Sequence, residues 1–182
     1  MSIRLKIVLV VLPLVIVTLL LTGVSSYFSA TTGITRLARD FLGFKAQELR
    51  NNAESQWGLL VDNGLTERPD MVEATRTAVE TYARGLVRSP TEIVFAVDPD
   101  GTLAMASSDL ALRPDEASRL AALARQKSTD LVTIAAAGRE RVAKGFWFEP
   151  FGWYVLVTEE RAVFFARANE ITVRTAIILG AA

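Results

Sequence analysis

Hydrophobic and polar positions alternate in different ways along this chain. From Ile7 to Phe28 the run IVLVVLPLVIVTLLLTGVSSYF carries no charge. As a helix rising about 1.5 Å per residue it is about 33 Å long, enough to cross a bilayer. Pro13 falls in its first turns, where neighbouring groups can satisfy the carbonyl it frees. Arg4 and Lys6 flank the run on its N-terminal side, so the positive-inside rule keeps residues 1–6 in the cytoplasm and sends the chain after Phe28 outward. A cleaved signal peptide is the alternative, with Val24, Ser25 and Ser26 as small residues for a processing site.

Beyond the run, apolar positions recur every three or four residues: Ile34, Leu37, Phe41 and Phe44, then Leu49, Ala53, Trp57 and Leu60. This is helical spacing, and it predicts that the membrane helix continues outward until Asn63-Gly64 closes it with a left-handed C-cap. The first quartet suits a partner helix in a homodimer and the second the domain's own sheet. Both quartets forming one intramolecular core is the competing reading. Pro69 opens a second helix whose stripe is Val72, Ala78, Val79, Tyr82, Ala83 and Leu86, and Ser89-Pro90 ends it.

The pattern then turns β-rich. Strands are predicted over Glu92 to Val97 and Thr102 to Ser107, joined by the turn Asp98-Pro99-Asp100-Gly101. A short amphipathic helix comes next, over Pro114 to Lys127. Further strands are predicted over Leu131 to Ala136, Arg141 to Glu149 and Trp153 to Thr158, with turns at Gly138-Arg139-Glu140 and Pro150-Phe151-Gly152. A last helix from Glu159 carries Val163, Phe164, Ala168 and Ile171. Strands joined by short turns form an antiparallel sheet, and helices laid on it make an α+β domain. After Arg174 an uncharged stretch begins at Ala176 and reaches Ala182, read as the first third of a second transmembrane helix of a longer receptor; a frayed C-terminal helix is the bland alternative. The organisation is therefore residues 1–6 cytoplasmic, 7–28 spanning, 29–172 an extracytoplasmic domain and 173–182 the start of a second span.

Composition narrows the function. The 182 residues hold 20 basic and 20 acidic side chains and no cysteine or histidine. Disulfide frameworks, thiolate nucleophiles, Cys/His metal sites and imidazole-based triads are excluded. Zero net charge argues against nucleic acid as a partner, since phosphate binding draws on clustered cations. The close carboxylate pairs, Asp98/Asp100 in a turn and Glu159-Glu160, do not make an acid/base dyad, and no Gly-rich phosphate loop opens a helix. The chain is expected not to be an enzyme and to need neither cofactor nor metal.

The membrane helix running into a long outer helix, the segments Tyr82-Ala83-Arg84-Gly85-Leu86 and Ser89-Pro90-Thr91-Glu92, the hairpin Ile93-Val94-Phe95-Ala96-Val97-Asp98-Pro99-Asp100-Gly101 and the strand entry Pro150-Phe151-Gly152-Trp153-Tyr154-Val155-Leu156-Val157 together resemble a single Cache domain. Cache domains are extracytoplasmic PAS-like sensors of bacterial receptors. The resemblance covers roughly residues 30 to 170. It implies a five-stranded antiparallel sheet with the long N-terminal helix on one face and a small-molecule pocket on the other. It also implies a location in the bacterial inner membrane with the sensor in the periplasm. A second membrane helix would lead to a HAMP-type relay and a histidine kinase, chemotaxis or nucleotide cyclase effector.

Pocket contacts are then expected from strand residues. One alternating face of the fourth strand presents Val142, Lys144, Phe146 and Phe148, the other Arg141, Ala143, Gly145, Trp147 and Glu149; alternation does not say which is inward. Arg141 and Lys144 are candidates to hold a ligand carboxylate, Trp147 and Tyr154 to wall it, and Phe95 and Ser107 to complete the site. The bland reading makes the cations solvated edge charges, the aromatics core and Ser107 a turn former. The amino-acid-binding pattern of the family is not matched in full, so no amino-acid ligand is implied. The expected partners are a small molecule, membrane lipid and a second copy of the chain; the alternative to a sensor is a ligand-free domain that sets dimer geometry.

Overall fold

The computed structural model describes the backbone of residues 3–165 and the side chains of residues 13–18, 21–25 and 39–165. The expected second span from residue 173, and Ala168 and Ile171 of the last helix before it, lie outside the described residues. The chain divides into two compact units, one of residues 1–37 and 165–182 and one of residues 38–164.

Helix α1 is Ile3–Asp62 and runs through Pro13. In the first unit its described large apolar side chains, Leu14, Val15, Ile16, Val17, Leu21 and Val24, are all exposed. Thr18 and Thr22 satisfy their hydroxyls on carbonyls one turn back, at 2.5 and 2.8 Å, as hydroxyls within a helix commonly do. Among the described residues no helix is long and apolar enough to cross a membrane.

The second unit is an α+β domain. Its elements are the end of α1, α2 (Pro69–Leu86), β1 (Glu92–Val97), β2 (Leu103–Ala106), α3 (Pro114–Gln126), β3 (Leu131–Ala136), β4 (Arg139–Phe148), a 3-10 turn (Glu149–Phe151) and β5 (Trp153–Glu160). The five strands form one antiparallel sheet in the order β2-β1-β5-β4-β3. Both faces are covered. On one, Leu42, Ala46, Leu49 and Ala53 of α1 and Val79, Ala83 and Leu86 of α2 pack over Val94, Ala96, Val142, Phe146, Val155 and Val157. On the other, Leu120 and Ala124 of α3 pack over Phe95, Val97, Ile134, Ala143, Tyr154 and Leu156. Strand residues alternate between these two cores as the pleat requires. Phe41 and Phe44 turn away from both, with half and two thirds of their surface exposed (50% and 67%).

Several boundaries differ from the sequence expectation. The β3–β4 turn is the two-residue Ala137-Gly138, with φ of +55° and +72°, so Arg139 and Glu140 already pair with Ala136 and Ala135. Positive φ at both central residues is the type I′ hairpin turn, and Gly138 supplies one of them at no steric cost. β5 continues to Glu160, where a helix was expected from Glu159: Glu159 pairs with Glu92 and Val142, Glu160 with Arg141, and residues 161 to 165 are helical. The flanking strands still offer backbone partners there, which outweighs the helix preference of two glutamates.

A buried carboxylate ties α3 to the sheet. Glu116, at the third position of α3, accepts the backbone N–H of Arg113 at 2.9 Å and of Gly138 at 2.9 Å, and pairs with the Arg113 guanidinium at 3.1 Å. Burial alone would raise this carboxyl, but the two backbone N–H groups and the guanidinium outweigh it and hold the group below its ordinary value. A lowered folded value gives stability that is present above the unfolded carboxylate range and is lost as pH falls through the lowered value. Glu116→Gln is expected to lose about 1–2 kcal/mol at neutral pH and to flatten the acid limb of a urea-midpoint against pH profile. An unchanged acid limb would contradict this assignment.

Candidate functional site

The α3 face of the sheet is where the resemblance implies a pocket. Tyr154 on β5 lies fully buried between Phe95, Leu156 and α3. Its ring passes directly over Gly145 of β4, where a methyl group would come within 2.5 Å of the Tyr154 oxygen; only glycine leaves room for the phenol there. The Tyr154 hydroxyl donates to the Ser128 carbonyl at 2.7 Å, and burial pushes the phenol above its ordinary pKa. On the adjacent residue, the Thr129 carbonyl accepts the Lys144 ammonium. Lys127, one residue earlier, sits 4.9 Å over the Trp147 ring and pairs with Glu149 at 2.9 Å, while Glu149 also accepts the Trp147 indole N–H.

Trp147 and Tyr154 meet one short segment, residues 127 to 129, on the α3 face, whereas Lys144, which alternates with Val142 and Phe146 onto the opposite face, reaches the same segment from the other side of the sheet. Lys127 ends α3 in the left-handed region at φ +48°, so the chain reverses sharply here and lays consecutive carbonyls against β4 and β5. Phe95 supports the Tyr154 ring from β1 as core.

Arg141 and Ser107 lie elsewhere. Arg141 has only 2% of its surface exposed; its Nε donates to the Thr158 hydroxyl at 2.8 Å and its guanidinium also meets the Thr91 carbonyl. Thr158 in turn donates to the Ile93 carbonyl at 2.8 Å. Burial lowers the Arg141 pKa against the opposing pull of Glu160 and Glu159. The side chain therefore locks β4, β5 and the entry to β1 together. Ser107 extends the β1–β2 ladder: its N–H donates to Val94 at 2.7 Å and its Oγ accepts the Val94 N–H at 3.0 Å.

Sequence reasoning missed a further polar site. Lys45 of α1, an ordinary cation in a helical stripe, is buried and bonded to both carboxylate oxygens of Glu92 on β1, at 2.7 and 2.8 Å. Glu92 also accepts the Arg88 backbone N–H at 2.7 Å. Its partner is 47 residues away, and no local pattern marks it; only the glutamate opening an otherwise apolar strand was available as a signal.

Two clefts open on the other side of the domain. One, of about 330 Å³, lies between α2, the β1–β2 turn and the 3-10 turn, and the other, of about 310 Å³, runs along β2 from Leu103 to Leu110. Neither is lined by any of the six expected residues. Among the described residues no group of three or more acidic side chains is placed to hold a metal ion.

No family model matches the chain, and no curated protein matches it. A solved structure described as the structural basis for carboxylic acid recognition by a Cache chemosensory domain is similar, at 16% identity and a TM-score of 0.43 over 72% of this chain and 90% of that one.

Proposed function

We propose that this chain is the extracytoplasmic sensing module of a bacterial membrane receptor, anchored by residues 7–28 and by a second span from residue 173, with residues 29–172 outside and a cytoplasmic effector beyond. The observation that carries the reading is α1. The same helix holds an uncharged run of bilayer length whose described apolar side chains are exposed, and the residues Leu42, Ala46, Leu49 and Ala53 that build the domain core. An uncharged helical run that exposes its large apolar side chains suits a lipid solvent. Phe41 and Phe44, just outside the core, support a second copy of α1 as partner.

The ligand is a small carboxylate. Tyr154 from the α3 face and Lys144 from the opposite face hold two successive backbone carbonyls, Ser128 and Thr129, and a carboxylate can take the place of the carbonyl on one of these donors. Binding would free the segment 127 to 129 from β4 and β5, and β5 leads directly into the helical residues 161 to 165. Coupling of about 1–3 kcal/mol suffices for a several-fold change in output. No catalytic role is assigned to this domain.

A ligand-free module that sets dimer geometry is the second reading, and the packing of Phe95, Tyr154, Leu156 and Leu120 on the α3 face favours it. Thermal unfolding of the full chain in lipid nanodiscs, with acetate, propionate, lactate and pyruvate, separates the two. A carboxylate at a hundred times its Kd adds about 2.7 kcal/mol, and Tyr154→Phe with Lys144→Met removes that gain. No shift with any of them favours the ligand-free module. Because the chain has no cysteine, Asp100→Cys reports topology: labelling by an impermeant thiol reagent from the cytoplasmic side alone would refute the membrane placement.

A further inference from the structure

The open sheet has two edge strands, β2 and β3, and they are built differently. β2 is guarded. It is four residues long, its register against β1 slips between Ala96 and Val97, and Asp98, Asp100 and Asp109 lie in the segments before and after it. A short strand, a bulge and nearby charges are the usual devices against edge-to-edge pairing. β3 has none of them. It runs for six residues, LVTIAA, without a charge, a proline or a glycine, and every residue pairs with β4 in unbroken register, from Leu131 opposite Lys144 to Ala136 opposite Arg139.

The β3–β4 hairpin fixes which backbone groups this edge presents. The residues flanking a two-residue turn exchange both hydrogen bonds, and the pattern then alternates along the strand. Ala136, Ile134 and Val132 therefore turn their N–H and C=O groups to β4, and Ala135, Thr133 and Leu131 turn theirs away from the sheet. Among the described residues no loop, helix or side chain bonds to those outward groups, and Thr133 is exposed.

A second β3 is the partner this edge fits. Laid antiparallel about a two-fold axis at Thr133, outward residues meet outward residues: Thr133 faces Thr133, and Leu131 faces Ala135. No like charges are opposed in such a pair, and a Thr–Thr contact across strands is favourable. The charges at the two ends of the strand are complementary. Asp130, just before β3, is exposed, and its carboxylate pairs with no cation among the described residues. At the other end, Ala136 pairs with Arg139, whose side chain is 65% exposed, and Arg113 stands beside Gly138. The two-fold axis sets Asp130 of one copy next to Ala136 of the other, two strand spacings or about 10 Å from the Arg139 backbone, a span these side chains bridge. We infer that β3 pairs edge to edge with β3 of a second copy of this chain, joining two five-stranded sheets into one. The contact is separate from the α1 face of Phe41 and Phe44, and it does not depend on the sensing reading.

Because the chain has no cysteine, single cysteines test the pairing and its register. At the axis the two Cα atoms of residue 133 stand about 5.5 Å apart, inside the range a disulfide spans. Thr133→Cys in the full chain, reconstituted in lipid vesicles and oxidised with copper phenanthroline, is expected to give a cross-linked dimer on a non-reducing gel. Ala135→Cys alone should react about tenfold more slowly, because its two copies stand four residues apart along the strands, about 14 Å. Ala104→Cys, exposed on the β2 edge, measures the rate of random collision. A mixture of Leu131→Cys and Ala135→Cys chains should cross-link to each other faster than either to itself. Adding Thr133→Lys to both, a guard charge at an exposed position, should slow that mixed product about tenfold. Thr133→Cys reacting no faster than Ala104→Cys, Ala135→Cys alone matching Thr133→Cys, or a mixed product unaffected by Thr133→Lys would each overturn the pairing.

Discussion

Glu92→Ala is expected to destabilise the domain by about 3–5 kcal/mol, the range found when one partner of a buried ion pair is removed. The Lys45 and Glu92 side chains keep only 6% and 8% of their surface exposed, so neither charge has water to fall back on. Without the carboxylate, the Lys45 ammonium retains only the Phe41 ring, 4.7 Å away, and a ring face replaces about 0.5–2 kcal/mol of such a loss. The Arg88 N–H loses its acceptor as well. The damage falls where α1 meets β1, and β1 is hydrogen-bonded along its length to β5. Replacing both charges, as Lys45→Met with Glu92→Leu, is expected to recover most of the stability, because an apolar pair of similar volume avoids the desolvation of both ions. The recovery stops about 1 kcal/mol short, since the Arg88 N–H stays unpaired. Urea denaturation of the two single variants and the double gives the coupling energy directly. A Glu92→Ala loss under about 1 kcal/mol would mean that the pair is hydrated and contributes nothing to holding α1 on the sheet.

That pair also marks the boundary of what the residue pattern conveys. The strands β1 and β3 and the start of α2 were legible because their signals are local: a run of β-branched and aromatic residues bounded by turn formers, and a proline that fits only a first helical turn. Glu159 and Glu160 carry no such signal, and their place in β5 comes from neighbours far away in sequence, Glu92 and Arg141. The facing of the sheet was illegible for a different reason. Helices cover both sides, so Val94 and Ala96 are as apolar as Phe95 and Val97 although they enter different cores; alternation identifies an inward face only when the other face is polar. The candidate site inherits this ambiguity. Residue type singled out Arg141, Lys144 and Tyr154 as polar groups in apolar strands, but whether each donor is spent on the protein or kept for a ligand depends on carbonyls of Thr91, Thr129 and Ser128 that no sequence motif announces.

A second large effect is expected at Gly101, where Gly101→Ala should cost about 3 kcal/mol. The residue closes the β1–β2 turn at φ +87° and donates its N–H to the Asp98 carbonyl at 3.0 Å. Any side chain is strained at that φ by about 1 kcal/mol. The larger part is steric. A methyl group there would stand 2.9 Å from the Ala117 carbonyl carbon and 3.1 Å from the Ala121 methyl, so the turn would have to lift off α3. Backbone cannot rotate away as a flexible side chain can, and forced overpacking of this kind costs about 1–3 kcal/mol more. Gly64, just past the end of α1, provides the internal control: it has a comparable φ of +65° with nothing within 4 Å of its absent methyl. Gly64→Ala should therefore show the conformational strain alone, about 1 kcal/mol. The difference between the two urea midpoints isolates the contact between the Asp-Pro-Asp-Gly turn and α3. If both variants lose the same stability, the turn is not seated on α3, and the helix that covers Tyr154 is held to the sheet by its own apolar face and Glu116 alone.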